Sequence, residues 1–182
     1  MKKAYLIVFL LVSLFAGGHL FAQKQDIHFN TLGIHSGLSQ SSVQCILQDE
    51  IGFVWIGTQD GLHRYDGHQV LKYKYDPLDQ NSLTNNNIRC IEQDDQGNLW
   101  IGTVNGLNKF DPIQKTFQRY LDNPFDTTAL PGNKITDLCY DGEGRLWIAT
   151  NKNGLCFYDI QKRYFVRLTE PLSRLTINEL FL

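Results

Sequence analysis

A chain of 182 residues carries 17 Lys and Arg against 19 Asp and Glu, for a formal net charge of −2, without the basic excess of a nucleic-acid binder. Hydrophobic residues make up 42% and aromatics 12%, too much apolar material for a disordered chain. A single Met argues against a soft, Met-rich binding groove.

The first element is an export signal. Met1-Lys2-Lys3 is a short positive region, and Ala4–Ala16 is an uncharged apolar run of 13 residues. Gly17-Gly18 breaks the run, and Leu20-Phe21-Ala22 before Gln23 suits cleavage. This three-part layout predicts a signal peptide over residues 1–22. A membrane span needs about 20 apolar residues, more than this run offers. No Cys follows the run, so a lipid-anchored version has no support. Residues 23–42 are a lead-in, with Asp26–Leu32 predicted to be a ring-closing strand.

From Val43 onward one unit recurs. An Asp, a Gly three later and a Trp three after that appear as Asp49/Gly52/Trp55, Asp94/Gly97/Trp100 and Asp141/Gly144/Trp147. All three Trp residues of the chain occupy this position, spaced by 45 and 47 residues. Each unit reads as four short strands, a to d. In the first, Val43–Gln48 is strand a, Asp49–Gly52 a turn, and Val54–Thr58 strand b. The dipeptides Asp60-Gly61, Asn105-Gly106 and Asn153-Gly154 are hairpin signals that start strand c. Strand d is predicted at Val70–Tyr75, Thr116–Tyr120 and Tyr164–Leu168. Helical periodicity is nowhere sustained.

A repeated four-stranded antiparallel unit of this length is a β-propeller blade. The fold class is therefore all-β, with blades at residues 43–75, 76–120 and 121–168. Residues 169–182 are predicted to begin a fourth blade, because Ile177 and Leu180 align with Ile135 and Leu138. On this reading the ring is incomplete and the chain is the N-terminal piece of a longer protein. An open stack exposes a blade face and an unpaired strand at Leu175–Leu182. The isolated chain is accordingly expected to be unstable or oligomeric, its partners being the rest of the propeller or a second copy in a homodimer. Trp55 and Gly57 lie on one side of strand b, so a large ring beside a missing side chain lets the next blade come close. Their role is read as structural. Cys45, Cys90, Cys139 and Cys156 form no C-x-x-C pair, and each falls in a strand-like apolar run, so they are expected to be buried free thiols.

The run Thr31-Leu32-Gly33-Ile34-His35-Ser36-Gly37-Leu38-Ser39, followed by Asp49, Gly52-Phe53-Val54-Trp55-Ile56-Gly57-Thr58 and Tyr65-Asp66-Gly67, resembles the start of two-component regulator propellers. So do Asn98-Leu99-Trp100-Ile101-Gly102-Thr103 and Gly106-Leu107-Asn108-Lys109-Phe110-Asp111. The resemblance covers about residues 27–182. It implies the periplasmic sensor region of a Bacteroidetes-type hybrid histidine kinase anchored in the inner membrane. There, two seven-bladed propellers precede an immunoglobulin-like domain, a membrane helix and a kinase. It also implies sensing of oligosaccharides.

For a ligand site, the b–c turns and d–a connections share one end of the blades. The b–c turns supply Gln59, Asp60, Asn105, Asn151, Lys152 and Asn153. The long d–a connections are Asp76–Asn85 and Asp122–Leu130, with Tyr120 and Phe125 nearby. Amides, carboxylates and aromatics on loops suit a small-molecule or oligosaccharide ligand, although Asn, Asp and Pro also simply form turns. Asp94-Asp95-Gln96-Gly97 lacks the bidentate Glu of a calcium loop and reads as a turn. His28, His35, His63 and His68 have no metal-ligand spacing. No catalytic residue, metal or cofactor is expected. The alternatives are an exported propeller enzyme of the streptogramin-lyase type, whose blades carry the same Asp-x-x-Gly-x-x-Trp pattern, or a protein-interaction propeller. The Gly37-Leu38-Ser39 opening favours the sensor.

Overall fold

A computed structural model describes residues 30–168. The expected signal peptide and residues 169–182 lie outside the described residues, as does most of the expected closing strand, whose last residues (30–32) are irregular. Twelve strands follow a short 3₁₀ turn at Ile34–Ser36. They are β1 (Val43–Gln48), β2 (Val54–Thr58), β3 (Gly61–Tyr65), β4 (Val70–Tyr73), β5 (Ile88–Gln93), β6 (Leu99–Thr103), β7 (Gly106–Asp111), β8 (Thr116–Tyr120), β9 (Ile135–Tyr140), β10 (Arg145–Thr150), β11 (Gly154–Asp159) and β12 (Tyr164–Arg167). They form three separate antiparallel sheets, β1–β4, β5–β8 and β9–β12, each in chain order. β1 packs beside β5 and β5 beside β9, which places strand a of every blade innermost. These are propeller blades, as the repeat predicts.

Strand a bulges in every blade. Pairing steps from Val43↔Thr58 to Cys45↔Gly57 and from Ile88↔Thr103 to Cys90↔Gly102. The third blade repeats this between Ile135↔Thr150 and Asp137↔Ala149. The extra residues are Gln44, Arg89 and Thr136, on the strands nearest the propeller axis. Such bulges sharpen twist and re-aim side chains. Arg89 Nη1 donates to Gln44 Oε1 across the first two blades at 3.3 Å.

The recurring Asp is a clamp. Asp49 Oδ1 accepts the backbone N–H groups of Ile51, Gly52 and Phe53, while Oδ2 accepts Trp55 Nε1–H at 2.7 Å. Asp94 and Trp100 repeat the bond at 2.9 Å, and Asp141 and Trp147 at 3.2 Å. One carboxylate thus closes the a–b turn and satisfies the indole donor that burial would otherwise leave unpaired. Asp94-Asp95-Gln96-Gly97 is this turn, as expected.

Blades pack with two dissimilar faces. The Trp face of the first, Trp55, Leu62 and Tyr73, meets Ile88, Ile91, Leu99, Ile101, Phe110 and Phe117 of the second. Trp100, Leu107 and Tyr120 then meet Ile135, Leu138, Leu146, Ile148, Tyr158 and Phe165 of the third. The two junctions are near replicas: Trp55 lies 5.2 Å from Phe110, and Trp100 lies 5.2 Å from Tyr158. Offset and edge contacts of this kind add about 0.5–1.5 kcal/mol each beyond burial. At Gly57 a Cβ would run into Cys45 Sγ and sit 2.6 Å from Ile88 Cγ2, so the close approach read from the Trp-x-Gly spacing is present. The four cysteines are free thiols. Cys90 and Cys156 are buried, and Cys45 and Cys139 partly so. Burial pushes the Cys45 and Cys156 thiols up to about 12, which keeps them protonated and unreactive.

Each d–a connection runs along the outer strand of the following blade before turning inward. Phe117 N–H donates to Asn81 O and Phe165 N–H to Thr128 O, which extends the sheet edge. Arg119 grips the carbonyls of Asp76, Asp79 and Ser82, and Arg167 those of Asp126 and Ala129. The edge of β8 is thereby covered, as is that of β12. At the inner end, Leu38, Leu83 and Leu130 are buried plugs. The next residue is handled in two ways. Ser39 N–H donates to His63 Nε2, and Thr84 N–H donates to Asn108 Oδ1. In the third blade the equivalent residue is Pro131, which has no N–H, and the register position held by His63 and Asn108 is taken by the apolar Cys156. At this position a polar acceptor stands only where the preceding segment offers an N–H to meet it.

Candidate functional site

The b–c turns are built by a threonine. Thr58, Thr103 and Thr150 each donate through Oγ1 to the carbonyl of the strand-c glycine, Gly61, Gly106 and Gly154. In the first two blades the same Oγ1 accepts the N–H of Asp60 or Asn105. The glycines adopt φ of +117°, +117° and +71°, conformations that side chains rarely take. The third turn is one residue longer, and Lys152 takes φ +82° there.

These turns meet the d–a connections directly. Gly61 N–H donates to Asn86 O, and Gly106 N–H to Asn133 O. Asn86 Oδ1 in turn accepts Tyr75 N–H, and Asn133 Oδ1 accepts Asp122 N–H. The two sets of loops therefore share one end of the stack, as the strand directions require.

The six predicted residues all lie on this end, on equivalent turns of consecutive blades. Gln59, Asn105, Lys152 and Asn153 are exposed. Asp60 is held in an ion pair with Lys74 at 2.9 Å. Asn151 is half-buried, and its N–H donates to Lys134 O. Asn153 lies over Gly132, where a Cβ would sit 2.5 Å from its Oδ1. Two expected neighbours do not join them as free sugar platforms. Tyr120 is packed among Trp100, Tyr158 and Phe165. Phe125 is exposed but belongs to the connection that runs outward along β12.

Residues outside the predicted set complete this end. Gln40 Oε1 and Asn87 Oδ1 are buried acceptors without a hydrogen-bond partner, both in the segments that lead into strand a. Each calls for a donor from water or ligand. The polar runs Gln40-Ser41-Ser42 and Asn85-Asn86-Asn87 before each strand a were the available signal. A cleft of about 700 Å³ lies away from this end, on the outer rim of the second blade. Its lining includes Gln80, Asn81, Lys109, Gln118 and Arg119 and none of the predicted residues.

His63 is fully buried and has a structural part. Its Nε2 accepts Ser39 N–H at 3.0 Å, and Nδ1 lies 3.3 Å from Ile56 O, so the Nδ1–H tautomer satisfies both. Asn108 does the same work with Oδ1 and Nδ2. Burial holds the His63 pKa below its ordinary 6.5, against the opposing pull of the Ile56 carbonyl. Above pH 6.5 the ring is neutral in both states and its contribution is complete. Below that, the unfolded chain takes up a proton that the folded chain resists, so stability falls as pH drops. His63→Asn is expected to flatten this dependence. The check is the difference in urea midpoints between pH 7.5 and 5.5, which is smaller in the variant.

Comparison with known proteins places these features. Residues 37–60, 82–105 and 129–152 match the family model of the two-component regulator propeller. Each match opens one residue before a buried plug (Leu38, Leu83 or Leu130) and ends in a b–c turn. A segment of 65 residues is 45% identical to histidine kinase P4 of Formosa agariphila, covering 36% of this chain and 5% of that protein. The extracellular domain of the hybrid two component system BT3049 of Bacteroides thetaiotaomicron superposes with a TM-score of 0.74 and 29% identity, over 81% of this chain and 22% of that one. The extracellular domain of the hybrid two component system BT4673 of the same organism gives 0.65 and 20% over 84% of this chain and 19% of that one, a likeness of fold. The chain thus spans a small part of each relative. Among the described residues no helix is long and apolar enough to cross a membrane.

Proposed function

This chain carries two-component regulator propeller repeats, and from that premise we propose that it is the exported, ligand-sensing part of a two-component sensor. It would lie in the periplasm, tethered through the remainder of the protein, and bind an oligosaccharide without transforming it. The observation that carries the sensing role is the 29% identity with the extracellular domain of BT3049 across 81% of the chain. The ligand class rests on the b–c end. Exposed amides from three consecutive blades, Gln59, Asn105 and Asn153, share that end with two buried acceptors that lack partners. Hydroxyl-rich molecules offer donors and acceptors at this density.

The test is equilibrium binding of the full chain to a panel of oligosaccharides of defined length. Saturable binding of at least one of them is expected, weakened by roughly 10-fold or more when Asn105 and Asn153 are both changed to Ala, about 1.4 kcal/mol for each factor of ten. Binding that is indifferent to both changes would contradict the site. Turnover of a bound oligosaccharide would contradict the non-catalytic role.

A further inference from the structure

We propose that the outer-rim cleft of the second blade is a binding site for a neutral, hydroxyl-rich ligand of saccharide type, separate from the b–c end. Its origin lies in one row of residues on the Trp face. The row starts two residues before the Trp and continues beside it on strands c and d. In the first blade it holds Phe53, Arg64 and Leu71, and in the third Arg145, Phe157 and Val166. Both of these rows seal themselves. Arg64 Cζ lies 4.3 Å from the centre of the Phe53 ring, and Arg145 Cζ lies 5.5 Å from that of Phe157. This is one cation–π stack with its two residues exchanged. The second blade carries Asn98, Lys109 and Gln118 in the same places. The row then holds no aromatic ring, and the cleft of about 700 Å³ opens at it.

Every wall of the cleft lies within residues 77–119, in the middle blade. Its volume is that of a small-molecule site. Asn98 and Gln118 of the row are joined by Gln80 and Asn81 from the d–a connection and by Gln114 from the turn between β7 and β8. A carboxamide presents a donor and an acceptor side by side, which suits neighbouring hydroxyl groups. Gln80, Asn81, Gln114 and Gln118 are exposed. Asn98 and Lys109 are set in place by the buried Asp94. Asn98 Nδ2 donates to both Asp94 oxygens at 3.1 Å, and Lys109 Nζ stands 3.9 Å from Oδ2. A ligand would engage what remains, the Asn98 Oδ1 acceptor and the ammonium donors of Lys109. Lys109 and Asp111 bring opposite charges to the lining, which favours a neutral molecule over an ion. The cleft uses none of the residues of the b–c end, so the two sites stand or fall separately.

The experiment is an NMR titration of the isotope-labelled full chain with maltotetraose, cellotetraose and laminaritetraose in turn, read at the side-chain amide signals. At least one tetrasaccharide is expected to shift the signals of Gln80, Asn81, Asn98 and Gln118 saturably in the millimolar range. The variant Asn98→Phe/Lys109→Arg/Gln118→Leu installs the row that the first blade already accommodates. Read at Gln80 and Asn81, it is expected to bind the same tetrasaccharide roughly 10-fold more weakly or worse, because the recess is filled. Asn105→Ala/Asn153→Ala is expected to leave binding at the cleft unchanged. Shifts at the b–c turns alone would overturn the cleft site and leave the b–c site standing, and shifts at the cleft alone would do the reverse. No shift at the cleft with any of the three sugars, or shifts that persist undiminished in the row variant, would overturn the proposal. Should the row variant fail to fold, Gln80→Ala/Gln114→Ala, both at exposed positions, applies the same test, read at Asn98 and Gln118.

Discussion

Replacing Asp94 by Ala is expected to lower the unfolding free energy by about 3 kcal/mol, more than any other single truncation of a polar side chain in these blades. The Asp94 side chain is fully buried, and its oxygens accept from the backbone of Gln96 and Asn98, the Asn98 amide and Trp100 Nε1. Removing it leaves the indole N–H in the junction between the second and third blades with no acceptor. A buried donor without a partner costs about 1–3 kcal/mol, and bonds to a charged acceptor about 1.5–3 kcal/mol each before compensation. Asp94→Asn keeps one oxygen and is expected to cost roughly half as much. Asp141→Ala is expected to cost least of the three equivalents, since its Trp bond is 3.2 Å long and Trp147 is only partly buried. Urea denaturation of the three variants checks the order. An Asp94→Ala midpoint equal to that of wild type would refute the clamp.

Gly102→Ala is expected to cost about 2–3 kcal/mol, a large penalty for one methyl group. The added Cβ would run into Cys90 Sγ and lie 2.6 Å from Ile135 Cγ2. One obstacle is the blade's own innermost strand and the other the next blade, so relief needs the two blades to part. Overpacking of a dense core costs about 1–3 kcal/mol, and here the strand backbone cannot swing away. Cys90→Ala in the same chain removes the nearer obstacle. The double variant is therefore expected to be less destabilised than Gly102→Ala alone, a non-additivity that thermal unfolding would reveal.

Much of the fold could be read from residues alone, because each blade advertises itself. Val43–Gln48 and Val54–Thr58 are strands as predicted, and the Asp-x-x-Gly-x-x-Trp series marks the a–b turn. Strand d was read slightly long, ending at Tyr73 and Arg167 instead of Tyr75 and Leu168, since the connection departs toward the next blade there. The path of the d–a connections was not legible. Asp76–Asn85 has the composition of a free loop, yet Arg119 holds it against β8 through backbone carbonyls, and such partners leave no trace in sequence pattern. The choice of His63, Asn108 or Cys156 at one register position was not legible either, since it answers to the backbone N–H of Ser39 and Thr84 and to the lack of one at Pro131. For the candidate site, the dipeptides located the b–c turns, which lie beside the d–a connections as the strand directions required, but Tyr120 is packed inside a blade junction instead of facing outward. An aromatic at the end of a strand can serve a ligand or a blade junction, and Trp100 and Phe165 claim this one.

In the proposed function the b–c turns and the inner ends of the d–a connections form the ligand face. Hydrogen exchange of the full chain, with and without a saturating oligosaccharide from the binding panel, tests it most directly. Slowed exchange is expected at residues 59–61, 85–87, 104–106 and 151–154, with the a–b turns at Asp49, Asp94 and Asp141 unchanged. Protection confined to the outer-rim cleft around Gln80, Lys109 and Gln118, or to the a–b turns, would contradict it.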